Sequence, residues 1–86
     1  MYKIEVTRRA GKELEKIHRS DRKLYRHFLV AFDTLAQDPS LGKRLQGPLH
    51  GLWSYRMGNY RIIYEVYHQQ LRIVVIDLGH RKDIYD

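Results

Sequence analysis

The residues able to do chemistry gather in two places. Arg56 and Arg61 flank Gly58-Asn59, and the run Gly79-His80-Arg81-Lys82-Asp83-Ile84-Tyr85 follows the last apolar stretch. Together they supply guanidinium groups, an ammonium, an imidazole and a phenol, which are the parts of a phosphate-handling site. Arginine suits phosphate because its planar fork donates two parallel hydrogen bonds and stays charged through a transition state. Histidine exchanges a proton near neutral pH without any help from its surroundings. His18, His27, His50 and His68 lack metal-ligand spacing and read as structural or solvent-facing. No metal and no cofactor is expected.

These residues need elements to position them. Tyr2 to Val6 alternates as a half-buried strand does, and Thr7 is a natural N-cap for a helix over 8–17 with Ala10, Leu14 and Ile17 on one face. Ser20 or Asp21 caps a second helix carrying Leu24, Phe28, Ala31, Phe32 and Leu35, ended by Asp38-Pro39. Such closely joined helices lie antiparallel. Gly42, Gly47, Pro48 and Gly51 mark 40–51 as a loop, after which Leu52 to Met57, Tyr60 to Tyr67 and Leu71 to Leu78 read as a three-stranded antiparallel meander. The expected architecture is an α+β sandwich of two layers, built from an N-terminal strand, an antiparallel helical hairpin and the meander, with 1–86 as one domain.

Gly58-Asn59 is a preferred two-residue hairpin turn, so Met57 should face Tyr60 and Arg56 should sit opposite Arg61. Trp53, Tyr55, Met57, Tyr60, Ile62, Tyr64 and Val66 then share the face packed on the helices. The arginines share the open face with Ile63, Val74, Ile76 and Leu78. Like charges directly across a sheet cost a few tenths to about 1 kcal/mol, which an anion would relieve. The other reading is that Glu65, Asp77 or Asp83 pairs with them, as surface ions commonly do.

Sixteen Lys and Arg against ten Asp and Glu give a formal charge of +6, which favours polyanionic partners. With no cysteine, hydrophobic packing alone must stabilise the fold. Charges at Lys3, Glu5, Arg8, Arg9, Lys12 and Glu13 interrupt any signal-like apolar segment, and no run approaches the roughly 20 apolar residues of a membrane span. The expectation is a cytoplasmic protein with no membrane partner.

Lys43-Arg44-Leu45, Gly51-Leu52-Trp53-Ser54-Tyr55-Arg56, Tyr60-Arg61-Ile62-Ile63-Tyr64 and Gly79-His80-Arg81-Lys82-Asp83-Ile84-Tyr85, in this order, resemble the RelE branch of the RelE/ParE toxin superfamily across nearly the whole chain. The resemblance implies a two-layer RelE-like fold and a toxin of a type II toxin-antitoxin system. It implies a metal-independent endoribonuclease that cuts messenger RNA on the ribosome, leaving a 2′,3′-cyclic phosphate and a 5′-hydroxyl, and is silenced by a cognate antitoxin. Operator DNA would be a partner only through the antitoxin complex.

Carried over by position, Arg61 and Arg81 match family arginines that stabilise the scissile phosphate, and Tyr85 matches a substrate-contacting tyrosine. Arg56, Lys82, Lys43 and Arg44 join them as expected phosphate and RNA contacts. Ser54 stands where the best-known members carry a lysine proposed as general base, and a serine hydroxyl is a poor base at neutral pH. His80, expected beside the arginines, is the candidate to take over proton transfer. Its other reading is a histidine capping the strand end. Two further functions stay open: a ParE-like inhibitor of DNA gyrase, and a non-catalytic co-repressor that binds an antitoxin.

Overall fold

The computed structural model describes residues 1–80. Strand β1 (Lys3–Val6) leads to helix α1 (Arg8–Ser20) through Thr7, whose Oγ1 accepts the Ala10 N–H at 3.2 Å. The same hydroxyl donates to the Ile76 carbonyl at 2.9 Å, so one side chain caps the helix and ties it to the sheet. Asp21 serves two helices at once. Its N–H closes α1 on the Ile17 carbonyl at 2.7 Å, and its carboxylate accepts the Leu24 N–H at 3.0 Å to begin α2 (Arg22–Gln37). A single residue between them makes the helices a tight hairpin. At the far end Asp38 receives Ser40, which donates both its N–H and its hydroxyl to the carboxylate.

After a 3-10 turn at Pro39–Leu41 come β2 (Lys43–Arg44), β3 (Trp53–Met57), β4 (Tyr60–Tyr67) and β5 (Arg72–His80). The sheet is five-stranded in the order β1-β5-β4-β3-β2. The expected meander β3-β4-β5 is present, and two further strands flank it. β1 lies parallel to β5, with Lys3 opposite Arg72 and Val6 opposite Val75. β2 falls inside the stretch read as a loop and pairs with β3, Lys43 opposite Ser54 and Arg44 opposite Trp53. Both additions are pairings between distant or very short segments, which local alternation does not announce.

One face of this sheet meets the helices. Phe28, Ala31, Phe32 and Leu35 of α2 and Ala10 of α1 close over Ile62, Tyr64, Ile73, Val75 and Leu78. Phe28 sets its ring edge-on to Tyr60 at 5.9 Å. The one departure in register lies between β4 and β5. Tyr64 faces Val75 while its neighbour Ile63 faces Asp77, so Ile76 is an extra residue in the ladder. Such a bulge reverses the facing of everything beyond it. Leu78, expected beside the arginines, therefore sits in the core at 1% exposure, opposite Ile62.

Tyr64 is the polar anchor of this core. Its buried hydroxyl donates to the Pro39 carbonyl at 2.7 Å and accepts the Gly42 N–H at 3.1 Å, which holds the chain entering β2 onto the sheet. Burial pushes the Tyr64 phenol up to about 12, the Gly42 hydrogen bond pulling the other way. Tyr64→Phe leaves a buried donor and acceptor unpaired, which costs about 1–3 kcal/mol and lowers the urea midpoint. Between about pH 10 and pH 12 the unfolded chain releases this proton while the folded chain keeps it. Stability measured in urea at stepped pH should therefore fall through that window, and Tyr64→Phe should remove this contribution. Gly42→Ala is expected to destabilise as well, because a Cβ there runs into the Tyr64 hydroxyl and comes within 3.0 Å of the Ser54 carbonyl.

Candidate functional site

Gly58, at φ 60°, provides the left-handed backbone that a two-residue turn requires, and β3 and β4 leave it in strict antiparallel register. Met57 lies opposite Tyr60 and Arg56 opposite Arg61, as the turn predicts. Met57, Tyr55 and Tyr60 pack toward the core, so alternation sends Arg56 and Arg61 to the face away from the helices. β2 adds Lys43 to that face across from Ser54. The Arg61 guanidinium donates through Nη1 to the Ser54 hydroxyl at 3.2 Å, and Ser54 is only 4% exposed.

The result is a groove of about 320 Å3 lined by Lys43, Ser54, Arg56 and Arg61, with Leu41 and Gly42 at one end. Three cationic side chains converge there, one of them oriented by a buried hydroxyl. Ser54 thus acts as a positioning group for Arg61, a role that the sequence reading, concerned with its basicity, did not assign. The carboxylates considered as partners for the arginines have other contacts. Asp77 holds Arg9 of α1 at 3.3 Å and accepts the Leu78 N–H at 2.9 Å, and Glu65 accepts the Tyr67 hydroxyl at 3.1 Å. That hydrogen bond raises the Tyr67 phenol above its ordinary value. Asp83 lies outside the described residues.

Two expected members of the site are elsewhere. His80 lies opposite Tyr60, with Gly79 taking the position opposite Arg61. Its ring meets that of Tyr60 edge-on at 5.3 Å, on the helix side of the sheet. His80 lines a cleft with Arg9, Glu13, Lys16 and Asp21 of the helical hairpin. The bulge at Ile76 is the physical reason, since it reverses the facing of the strand end. Arg44 follows Lys43 on a strand and so points the other way, with its guanidinium 5.0 Å from the Trp53 ring centroid. The alternation within Lys43-Arg44 was the signal that could have separated them. Arg81, Lys82 and Tyr85 lie outside the described residues. Among the described residues no group of three or more His, Asp or Glu side chains gathers as metal ligands do, and no helix is long and apolar enough to cross a membrane.

Comparison with known proteins gives this geometry its family. The family model described as ParE toxin of type II toxin-antitoxin system, parDE, matches residues 4–85. Toxin RelG of Mycobacterium tuberculosis is 33% identical over 85 residues, spanning 98% of this chain and 95% of that protein. This chain belongs to the RelE/ParE toxin family. Toxin RelE of the same organism is 29% identical over 85 residues, covering 98% of this chain and 86% of that protein. Among solved structures, the RelBE2 toxin-antitoxin complex of M. tuberculosis superposes with a TM-score of 0.83 at 28% identity, over 93% of this chain and 91% of that one. The RelE-like fold of this toxin-family chain is the same α+β arrangement.

In a RelE/ParE chain the Arg56–Arg61 pair has a measurable consequence. The facing cations oppose each other, so Arg56→Gln at low ionic strength should stabilise the fold by a few tenths to about 1 kcal/mol. Sulfate should raise the melting temperature of the parent protein through preferential binding to the folded groove. The double variant Arg56→Gln, Arg61→Gln should lose most of that sulfate response in a thermal-shift titration. An equal response in both proteins would separate the groove from anion binding.

Proposed function

We propose that this chain is the toxin of a type II pair and acts as a metal-independent, ribosome-dependent messenger RNA endoribonuclease, held inactive by a cognate antitoxin. The observation that carries the reading is the groove of Lys43, Arg56 and Arg61, with Arg61 held by Ser54. The reaction is intramolecular. A ribose 2′-hydroxyl loses its proton and attacks the adjacent phosphorus, and the bond to the 5′-oxygen breaks as that oxygen takes up a proton. The products are a 2′,3′-cyclic phosphate and a 5′-hydroxyl. The passing phosphorane carries extra negative charge, and fixed cations aimed at it lower the barrier more than they stabilise the substrate.

Arg61 is the central phosphate contact in this reading, with Arg56 and Lys43 neutralising the flanking backbone, and Arg81, Lys82 and Tyr85 keep the phosphate and substrate roles that the family resemblance assigns to them. His80, whose ring meets Tyr60 on the helix side, is given no proton-transfer role in this reading. The described groove residues offer electrostatic stabilisation more plainly than acid-base catalysis. Dependence on the ribosome fits that composition, because ribosomal RNA can align the 2′-hydroxyl for in-line attack. The solved relatives in complex with antitoxins, RelBE2 among them, support an antitoxin as the protein partner. Contact with operator DNA would then come through that complex, and the site of action would be the cytoplasm.

A second reading is favoured by the family model, which is described for ParE toxins, and by serine at position 54. There the chain inhibits DNA gyrase and cuts nothing. Inducible expression in a bacterial host, followed by primer extension on a translated reporter, separates the two. The expected result is discrete cuts within the reading frame, reduced at least a hundredfold by Arg61→Ala and by Arg81→Ala and little changed by His80→Ala. Growth arrest without cuts, accompanied by loss of supercoiling activity in a gyrase assay, would establish the second reading instead.

A further inference from the structure

A second groove lies on the other side of the β2–β3 edge. It encloses about 510 Å3, and Arg44, His50, Trp53, Val66 and His68 form its working surface. Trp53 stacks on the buried Tyr64 ring at 6.1 Å with an interplanar angle of 19°, and the Arg44 guanidinium lies 5.0 Å from the indole centroid. These contacts form a guanidinium and aromatic stack anchored in the core. His68 places Nδ1 2.9 Å from the Tyr2 hydroxyl. With Tyr2 donating, the neutral imidazole carries its proton on Nε2. Among the described residues, the lining includes no carboxylate.

We infer that this groove takes one nucleobase of a single-stranded RNA whose phosphates occupy the Lys43, Arg56 and Arg61 groove on the opposite face. The inference rests on the RNA-handling reading above and adds a subsite to it. Single-stranded bases are held by stacking on aromatic rings and guanidinium planes and by hydrogen bonds to their edges. Trp53 and Arg44 supply the first of these, and His50 and Gln46 bring polar groups to the rim. β2 connects the two grooves. It is the outermost strand of the sheet and only two residues long, and its consecutive cations line different grooves. An RNA strand crossing this edge meets Lys43 on one side and Arg44 on the other. The absence of acidic groups from the lining suits a polyanion. An acidic protein segment shares that charge but lacks the flat ring that the stack accommodates.

Trp53 is the chain's only tryptophan, so its fluorescence reports on this groove directly. The full chain is titrated with a short single-stranded ribo-oligonucleotide, with 5′-AMP, with ribose 5-phosphate and with an acidic peptide. The oligonucleotide and 5′-AMP should change the emission saturably, whereas ribose 5-phosphate, having no base, should not. Arg44→Ala, at an exposed position, should weaken oligonucleotide binding roughly tenfold, the effect of losing one stacked base. Equal responses to 5′-AMP and ribose 5-phosphate, or parent-like affinity in Arg44→Ala, would overturn the subsite. So would a response confined to an acidic peptide, which would assign the groove to a protein partner. Messenger cleavage with no base-dependent fluorescence change removes only the subsite. A base-dependent change in a protein that cuts nothing supports the subsite and removes only the nuclease.

Discussion

The pairing of β4 with both of its neighbours governs this molecule. β4 carries the buried Ile62 and Tyr64 on one face and Arg61 on the other, and its eight residues pair with both β3 and β5. On the β3 side the Gly58-Asn59 turn leaves no freedom of register, because a slip of one residue would put the arginines into the core and the aromatics into water. On the β5 side the register changes once, at Ile76. The first constraint creates the cationic pair. The second decides which residues stand beside it.

The bulge is held from outside the sheet. Thr7 donates to the Ile76 carbonyl and Arg9 holds Asp77, so the first turn of α1 clamps the irregular residues. Beyond this point Leu78 returns to the core, and His80 leaves on the helix side with Tyr60. The facing of the strand end is therefore held by contacts far from it in sequence.

Tyr64 plays the corresponding part at the opposite edge. Its two hydrogen bonds pin Pro39 and Gly42, and the chain that follows immediately supplies Lys43 and Arg44. A buried phenol is costly unless satisfied, and here its satisfaction orders a segment dense in glycine that has little packing of its own. Without that anchor the two-residue strand β2 would have only its ladder to β3, and neither groove would keep its wall. The conformational order of the site thus comes from the core.

Much of this was legible in the residues alone, where local chemistry leaves one choice. Thr7 caps its helix because its side chain reaches an orphan N–H group, and Gly58-Asn59 sets Arg56 against Arg61 because the turn admits one pairing, whereas the structure chose Asp21 over Ser20 as the second cap. The apolar faces of both helices and of β3 and β4 followed from their periods. The remainder was decided by tertiary structure. Ile73, Val74, Val75 and Ile76 are all apolar and β-branched, so the run has no alternation to fix its phase or reveal the extra residue. That concealed the true facing of Leu78 and His80. β1 beside β5 joins residues about seventy positions apart, and β2 is too short to show a period. Local pattern records what each residue prefers, and only packing against α1 and Tyr64 selected among arrangements that those preferences allow equally.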